Sequence, residues 1–229
     1  MSRTLFDIGA NRGEVVTEAL HQGFAKVVAV EAAPKMAALL AKNFSIDSRV
    51  IPLRMAASNV DNETVTFYEA SQDGLSTLDI NWLTSPESLY NGYGYTELQT
   101  STITIDTLAE KYGEPELIKV DVEGAEGLVL EGMTTVTPII DFEWSLPFID
   151  EADRIVLDLA SRLGYTHFSP QFIVPHLHET KETLYEIGST TAAEWVRDRA
   201  GWWESEGWRE NGAIRQFADA GMIWVYKTP

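Results

Sequence analysis

An α/β fold of mostly parallel strands with helices on both faces is what this sequence predicts, and three observations predict it. Short apolar runs alternate with helical patterns from the start of the chain. Two of those runs enter glycine-rich turns, FDIGANRG at Phe6–Gly13 and KVDVEGAE at Lys119–Glu126. Acids stand at the ends of the runs, where an open parallel sheet binds its ligands.

The elements follow in order. Thr4–Ile8 reads as a buried strand and Glu14–Gln22 as a helix stopped by Gly23. Lys26–Val30 is a second β-branched run. Pro34 suits a first helical turn, and Lys35–Phe44 continues it. Val50–Ala56 and Val65–Tyr68 read as further strands, so the opening order is β-α-β-α-β. Gln72–Gln99, rich in Ser, Thr, Asn, Gly and Tyr, reads as an elaborated loop of the kind that serves as a lid or binding segment. Thr102–Ile105 is the next strand, with Asp106 placed to cap a helix to about Tyr112. Leu117–Val122 is a strongly apolar strand entering a turn and helix. Pro138–Trp144 is a strand, Ala152–Leu163 an amphipathic helix, and Tyr165–Phe168 another strand. Phe172–Trp208 reads as irregular or partly helical, Ile214–Ala220 as helical, and Met222–Tyr226 as a closing strand. We expect one domain over 1–229 with insertions at about 72–99 and 172–212.

Composition narrows the chemistry. The formal net charge of −18 repels phosphate backbones and anionic lipid, so no nucleic acid and no membrane partner is expected. With no cysteine there is no disulfide, thiolate zinc site or cysteine nucleophile. No signal-peptide pattern and no apolar run of membrane-spanning length is seen, so the expectation is a soluble, cytoplasmic protein.

In FDIGANRG, Gly9 permits a sharp turn and close backbone approach to a ligand, and Gly13 lets the next helix start close against the strand. The amides around Ala10 and Asn11 are expected to donate to a ligand's polar groups, and Asp7 to hold an ammonium directly or through water. Glu31, ending the second strand in VVAVEAAP, can accept from both hydroxyls of a ribose. A dinucleotide fingerprint would need glycine at the positions of Asn11 and Glu14. The phosphate-free S-adenosylmethionine is compatible with both residues. In LIKVDVEGAEGLVLEGM, Asp121 and Glu123 end a strand too apolar to bury them unpaired; a sulfonium and an ammonium could pair with them. Glu126 favours a helix N-terminus.

These motifs, with VIPLRMAAS, VTFY and TITIDTL between them, occur in the order seen in FkbM-like methyltransferases, which the chain resembles over about Leu5–Glu143. The resemblance implies a class I methyltransferase sheet, Rossmann-like and seven-stranded, six strands parallel and one antiparallel, with S-adenosyl-L-methionine as cofactor. It places Asp7, Gly9, Asn11 and Gly13 on the cofactor loop, Glu31 on the ribose acid and Ala56 beside the adenine. Ala10 and Ala32 join the cofactor-binding set. Asp121 and Glu123 fall beside the reacting methyl, and Glu143 at the end of the fifth strand. Arg54 stands where many relatives carry asparagine.

An alcohol acceptor must lose its proton to a base. Glu143 or Glu123 is expected to take it, with His167 behind them. Acids at 121, 123, 141 and 143 could in principle suit magnesium or calcium, but alternate strand residues need not converge, and the HLH segment at His176–His178 is too small a set, so no metal ligand is assigned. Trp195, Trp202, Trp203 and Trp208 are expected to pack a helix or an oligomer interface. The expected reaction is O-methylation of a hydroxylated small molecule such as a sugar, by a protein that could form a homo-oligomer. A nicotinamide-dependent oxidoreductase and a non-catalytic binding protein are the rival readings.

Overall fold

The computed structural model describes residues 3–172, 183–205 and 220–227. The chain divides into two compact units, Met1–Thr137 and Pro138–Pro229. The boundary falls just before a strand rather than at either expected insertion.

The first unit runs β1 (Thr4–Ile8), α1 (Glu14–His21), β2 (Lys26–Val30), α2 (Pro34–Asn43), β3 (Val50–Leu53), β4 (Ala56–Ala57), β5 (Thr64–Ala70), α3 (Asn81–Thr84), β6 (Tyr95–Ile103), α4 (Ile105–Tyr112), β7 (Leu117–Val120) and α5 (Glu126–Leu130). Four strands form a parallel sheet in the order β7-β1-β2-β3. Leu5, Phe6, Ile8, Val27, Val28 and Ile118 are fully buried, so the central strands are covered on both faces, as parallel strands must be. The register aligns Asp7 with Lys119 on one side and with Ala29 on the other. All the parallel strands therefore end together, and their carboxyl ends carry the loops of the site.

A smaller sheet, β4-β6-β5, flanks that end. The expected third strand does not continue to Ala56: it stops at Leu53, and Ala56 pairs instead with Thr102 of β6. The segment 72–99 is more ordered than its composition implied. It holds α3, and its last residues begin β6, which pairs with β5 from Thr64↔Ser101 to Ala70↔Tyr95. The cap of α4 is Thr104, whose side chain accepts from Thr107 N. Asp106 sits inside the first turn and accepts from the backbone and hydroxyls of Thr134 and Thr135.

The second unit runs β8 (Ile139–Ser145), a 3-10 turn at Leu146–Phe148, α6 (Ile149–Leu163), β9 (His167–Phe172), β10 (Tyr185–Glu186), α7 (Ala192–Ser205) and β11 (Ala220–Tyr226). β11 lies between β8 and β9 and runs antiparallel to both. That is the arrangement the resemblance implied for the last three strands, and the mixed α/β fold class stands. The two-residue β10 adds an unexpected edge, antiparallel to β9. α7 crosses a segment expected to be irregular or partly helical; Asp153 accepts from the Ala192 and Ala193 amides at its start. Trp195 is buried, as expected of a packing residue. His176, His178 and Trp208, the side chains of Trp202 and Trp203, and most of the helix expected at 214–220 lie outside the described residues.

Candidate functional site

A cleft of about 500 Å³ opens at the carboxyl ends of β1, β2 and β7, wholly within the first unit. Gly9, Ala10, Asn11, Glu31, Ala32, Ala56, Asp121 and Glu123 all border it. Met36, Phe67 and Leu78 add an apolar wall, packed around Ala32 and Ala33. Eight of the residues expected at the site therefore converge on one cavity.

The loop after β1 turns on Gly9, at φ 79°. A β-carbon there would lie 1.7 Å from the Asp121 carbonyl oxygen. The glycine thus admits the Asp121 carbonyl just past β7 at close range. Gly13 likewise faces Phe44 and Leu40 beside α2, with Phe44 Cε2 2.3 Å from where its β-carbon would be. It admits a neighbouring helix rather than the strand.

The amides expected to hold a ligand are already engaged. Gly9 and Ala10 donate to the Val30 carbonyl at 2.9 and 3.0 Å. Asn11 N donates to Glu31 Oε2 at 2.8 Å, and Ala33 N to Glu31 Oε1 at 2.7 Å. The loop's donors fix the acid, and the acid faces the cleft. Each Glu31 oxygen keeps acceptor capacity beyond its one backbone bond. Burial pushes the Glu31 carboxyl above the usual range against the pull of the Ala33 and Asn11 amides.

Asp7 does not reach the cleft. It is wholly buried in β1, so it cannot hold an ammonium directly. Its countercharge is Lys119 of β7, whose Nζ lies 3.4 Å from Asp7 Oδ1, 3.3 Å from Asp121 Oδ2 and 3.1 Å from the Gly9 carbonyl. Burial raises the Asp7 carboxyl, and Lys119 opposes that rise. A lysine of the protein itself therefore stands between Asp7 and Asp121. Lys119 was not foreseen, though a lone lysine inside LIKV, two residues before an acid, is a visible signal.

Glu123 borders the cleft with φ 60°, an uncommon value for a residue with a side chain. Burial pushes its carboxyl well above the ordinary range, and Asp121 and Glu126 add to this. Glu126 reaches back to accept from Val122 N at 2.8 Å and Gly124 N at 3.1 Å, fastening the turn rather than only meeting a helix end. Burial brings its own carboxyl up to about 7, against those amides.

The other two catalytic candidates belong to the second unit. Glu143 is buried in β8, opposite Met222, which also stands opposite Gln171 of β9. His167 is opposite Tyr226, which also faces Ile139. The two therefore stand four residues apart along the sheet, roughly 13 Å at strand spacing. His167 lies at the amino end of β9, and Glu143 near the carboxyl end of β8. They cannot share one reacting centre, so Glu143 and His167 are alternative bases and not partners. His167 bonds Thr166 Oγ1 instead, through Nδ1 at 2.9 Å.

The cleft's charge speaks to its ligand. Its lining carries six acids (Glu14, Glu31, Glu69, Asp73, Asp121 and Glu123) and two lysines. Lys35 is paired with Asp73 at 2.8 Å, and Lys119 is bound as described. A diphosphate would meet this surplus of acid, whereas a phosphate-free cation is favoured by it.

A family model for the methyltransferase FkbM domain matches residues 7–166. No curated protein matches the chain. Among solved structures it is similar to precorrin-6y C5,15-methyltransferase from Geobacter metallireducens GS-15, with 9% identity, a TM-score of 0.50, and coverage of 99% of this chain and 81% of that one. Precorrin 8W decarboxylase from Methanobacterium thermoautotrophicum matches with 10% identity, a TM-score of 0.45, and coverage of 100% and 82%. Phosphoethanolamine N-methyltransferase 2 from Haemonchus contortus, in complex with S-adenosyl-L-methionine, matches with 9% identity, a TM-score of 0.44, and coverage of 98% and 48%. At 9% identity the likeness to the Geobacter metallireducens structure is one of fold.

Proposed function

The chain belongs to the methyltransferase FkbM family, and we propose that this S-adenosylmethionine-dependent member methylates a hydroxyl oxygen of a sugar or other small polar metabolite. The observation that supports this reading best is Glu31, clamped by two backbone amides and bordering an acid-lined cleft. The clamp fixes the carboxylate without exhausting its acceptors, which suits a vicinal diol such as a ribose. Ala32, Met36, Ala56 and Phe67 would cover a flat heterocycle. The acids suit a ligand that carries positive charge and no phosphate. By the same argument a nicotinamide dinucleotide is disfavoured.

When bound, S-adenosylmethionine supplies an electrophilic methyl carbon, whose bond to the acceptor oxygen forms as its bond to sulfur breaks and the electron pair stays on sulfur. The protein's own residues do the rest. Lys119 offsets part of the charge of Asp7 and Asp121 and holds the Gly9 carbonyl, so the loop carrying Asn11 stays in place for Glu31. Glu123 takes the proton that the acceptor oxygen gives up. A carboxyl raised by burial is a stronger base once ionised, and a cation in the cleft favours that ionised form. The acceptor is proposed to enter past Ser71, Asp73 and Ser76, polar residues on the cleft's lining.

Calorimetry tests the cofactor: S-adenosylmethionine and S-adenosylhomocysteine should bind and NADH should not. Tritium transfer from labelled cofactor to a library of hydroxylated metabolites tests the acceptor. Label appearing only on amines or protein side chains would overturn O-methylation. In Glu123→Gln the turnover number should fall by roughly 10²–10⁴ with cofactor affinity kept within about tenfold.

A further inference from the structure

The segment between β5 and β6 places one large aromatic residue against the tip of β7. Trp82 of α3 is 3% exposed, despite its polar sequence neighbourhood. Its indole Nε1 donates to Glu123 Oε2 at 3.0 Å. Its ring lies over Gly124, where a β-carbon would come within 2.5 Å of Cε3. Glycine at 124 is therefore the condition for the ring to reach this place. The tryptophan is itself held from behind. Ser88 Oγ donates to its carbonyl, and the Tyr90 ring lies 4.9 Å away, centroid to centroid. Glu123 carries the cost of a left-handed backbone. A strained backbone and a dedicated donor thus fix one carboxyl from two sides.

We propose that Trp82 is a positioning residue, holding the Glu123 carboxyl through its indole N–H in the orientation that receives the acceptor's proton. The proposal rests on Glu123 being the base. A tryptophan kept only to fill space would be replaceable by phenylalanine; one kept for its N–H would not. Within the first unit the charged groups facing Glu123 are Asp121, Glu126 and Lys119. Burial and the two acids favour its protonated form, while the indole bond and Lys119 favour the ionised one.

Proton release reads this without an acceptor. Glu123 borders the cleft, so a cation bound there drives its proton off. S-adenosylmethionine titrated into the full chain, in buffers of different ionisation enthalpy, reports that release against pH. Wild type should release protons, and Glu123→Gln should release fewer while still binding, the remainder coming from Glu31 and Glu126. Trp82→Phe keeps a ring over Gly124 but no donor; its pH of greatest release should rise by about one unit. Ser88→Ala, which loosens the anchor and leaves the ring intact, should move it the same way by less. An unchanged profile in both variants overturns the positioning role and leaves the methyltransferase reading standing. Binding without release in wild type removes Glu123 as the group held, and with it the proposal. No binding of the cofactor by wild type overturns the functional reading and this one together.

Discussion

Glu31 and Glu123 border the same cleft, and their partners suit them to different tasks. Two backbone amides hold Glu31 as an acceptor, so it is suited to binding. Glu123 has one neutral donor and two acidic neighbours, so it is suited to moving a proton. Glu31→Gln turns one oxygen into a donor that opposes a backbone N–H. Cofactor affinity should fall by about 10- to 100-fold in calorimetry, the loss of one or two hydrogen bonds to a charged group. Gly9→Ala cannot be accommodated in place, because its β-carbon would overlap the Asp121 carbonyl and φ is positive. Its melting temperature should drop by about 4 °C or more, the shift that a cost of about 2 kcal/mol produces in a chain of this size. An unshifted melt would mean that β1 and β7 part more easily than their register implies.

At the scale of elements, two connections do more than link. The α4 start is organised by Thr104, which caps the helix while Asp61 accepts from its amide and hydroxyl. Thr104→Ala should cost about 1 kcal/mol or somewhat more in urea unfolding, because the cap and the hydroxyl bond to Asp61 both go. The segment 72–99 reads as a loop because its periodicity is weak. Its order comes from Trp82 reaching Glu123 and from the Tyr68–Thr77 backbone pair, contacts distant in sequence that no local pattern encodes. Strand ends were misjudged for the same kind of reason. Leu53 ends β3 because Ala56 is taken by β6, a competition visible only when both strands are in place.

For the whole molecule, charge and pH set the terms. Among the described residues no helix is long and apolar enough to cross a membrane. The formal charge of −18 makes self-repulsion a general destabilising influence, so moderate added salt should raise the melting temperature. The buried acids act on stability with a defined sign. Glu126 rises from 4.5 to about 7 on folding, so the folded state holds its proton more tightly. Its contribution is full below the lower value and is lost as pH rises through the upper one. Asp47, lowered to about 2 by its Arg49 hydrogen bonds, acts oppositely, losing its contribution as pH falls. The cofactor-free protein should therefore have a higher urea midpoint near pH 5.5 than near pH 8, and Glu126→Gln should flatten that slope. A slope unaltered in the variant would remove Glu126 as its source.

Local pattern along the chain dictated the α/β class, the strand and helix order of the first unit apart from β4 and α3, and eight of the residues on the cleft. Apolar periodicity and glycine-acid turns are local, and a parallel sheet converts the ends of its strands into one site automatically. What each residue does there was decided only by the tertiary structure. Asp7 and Lys119 meet because β1 and β7 are neighbours in register; Asn11 is turned toward Glu31 because β2 ends beside it. His167 and Glu143 are parted because β11 pairs each at a different level. Partners across strands depend on register, and register is a property of the assembled sheet rather than of any one segment.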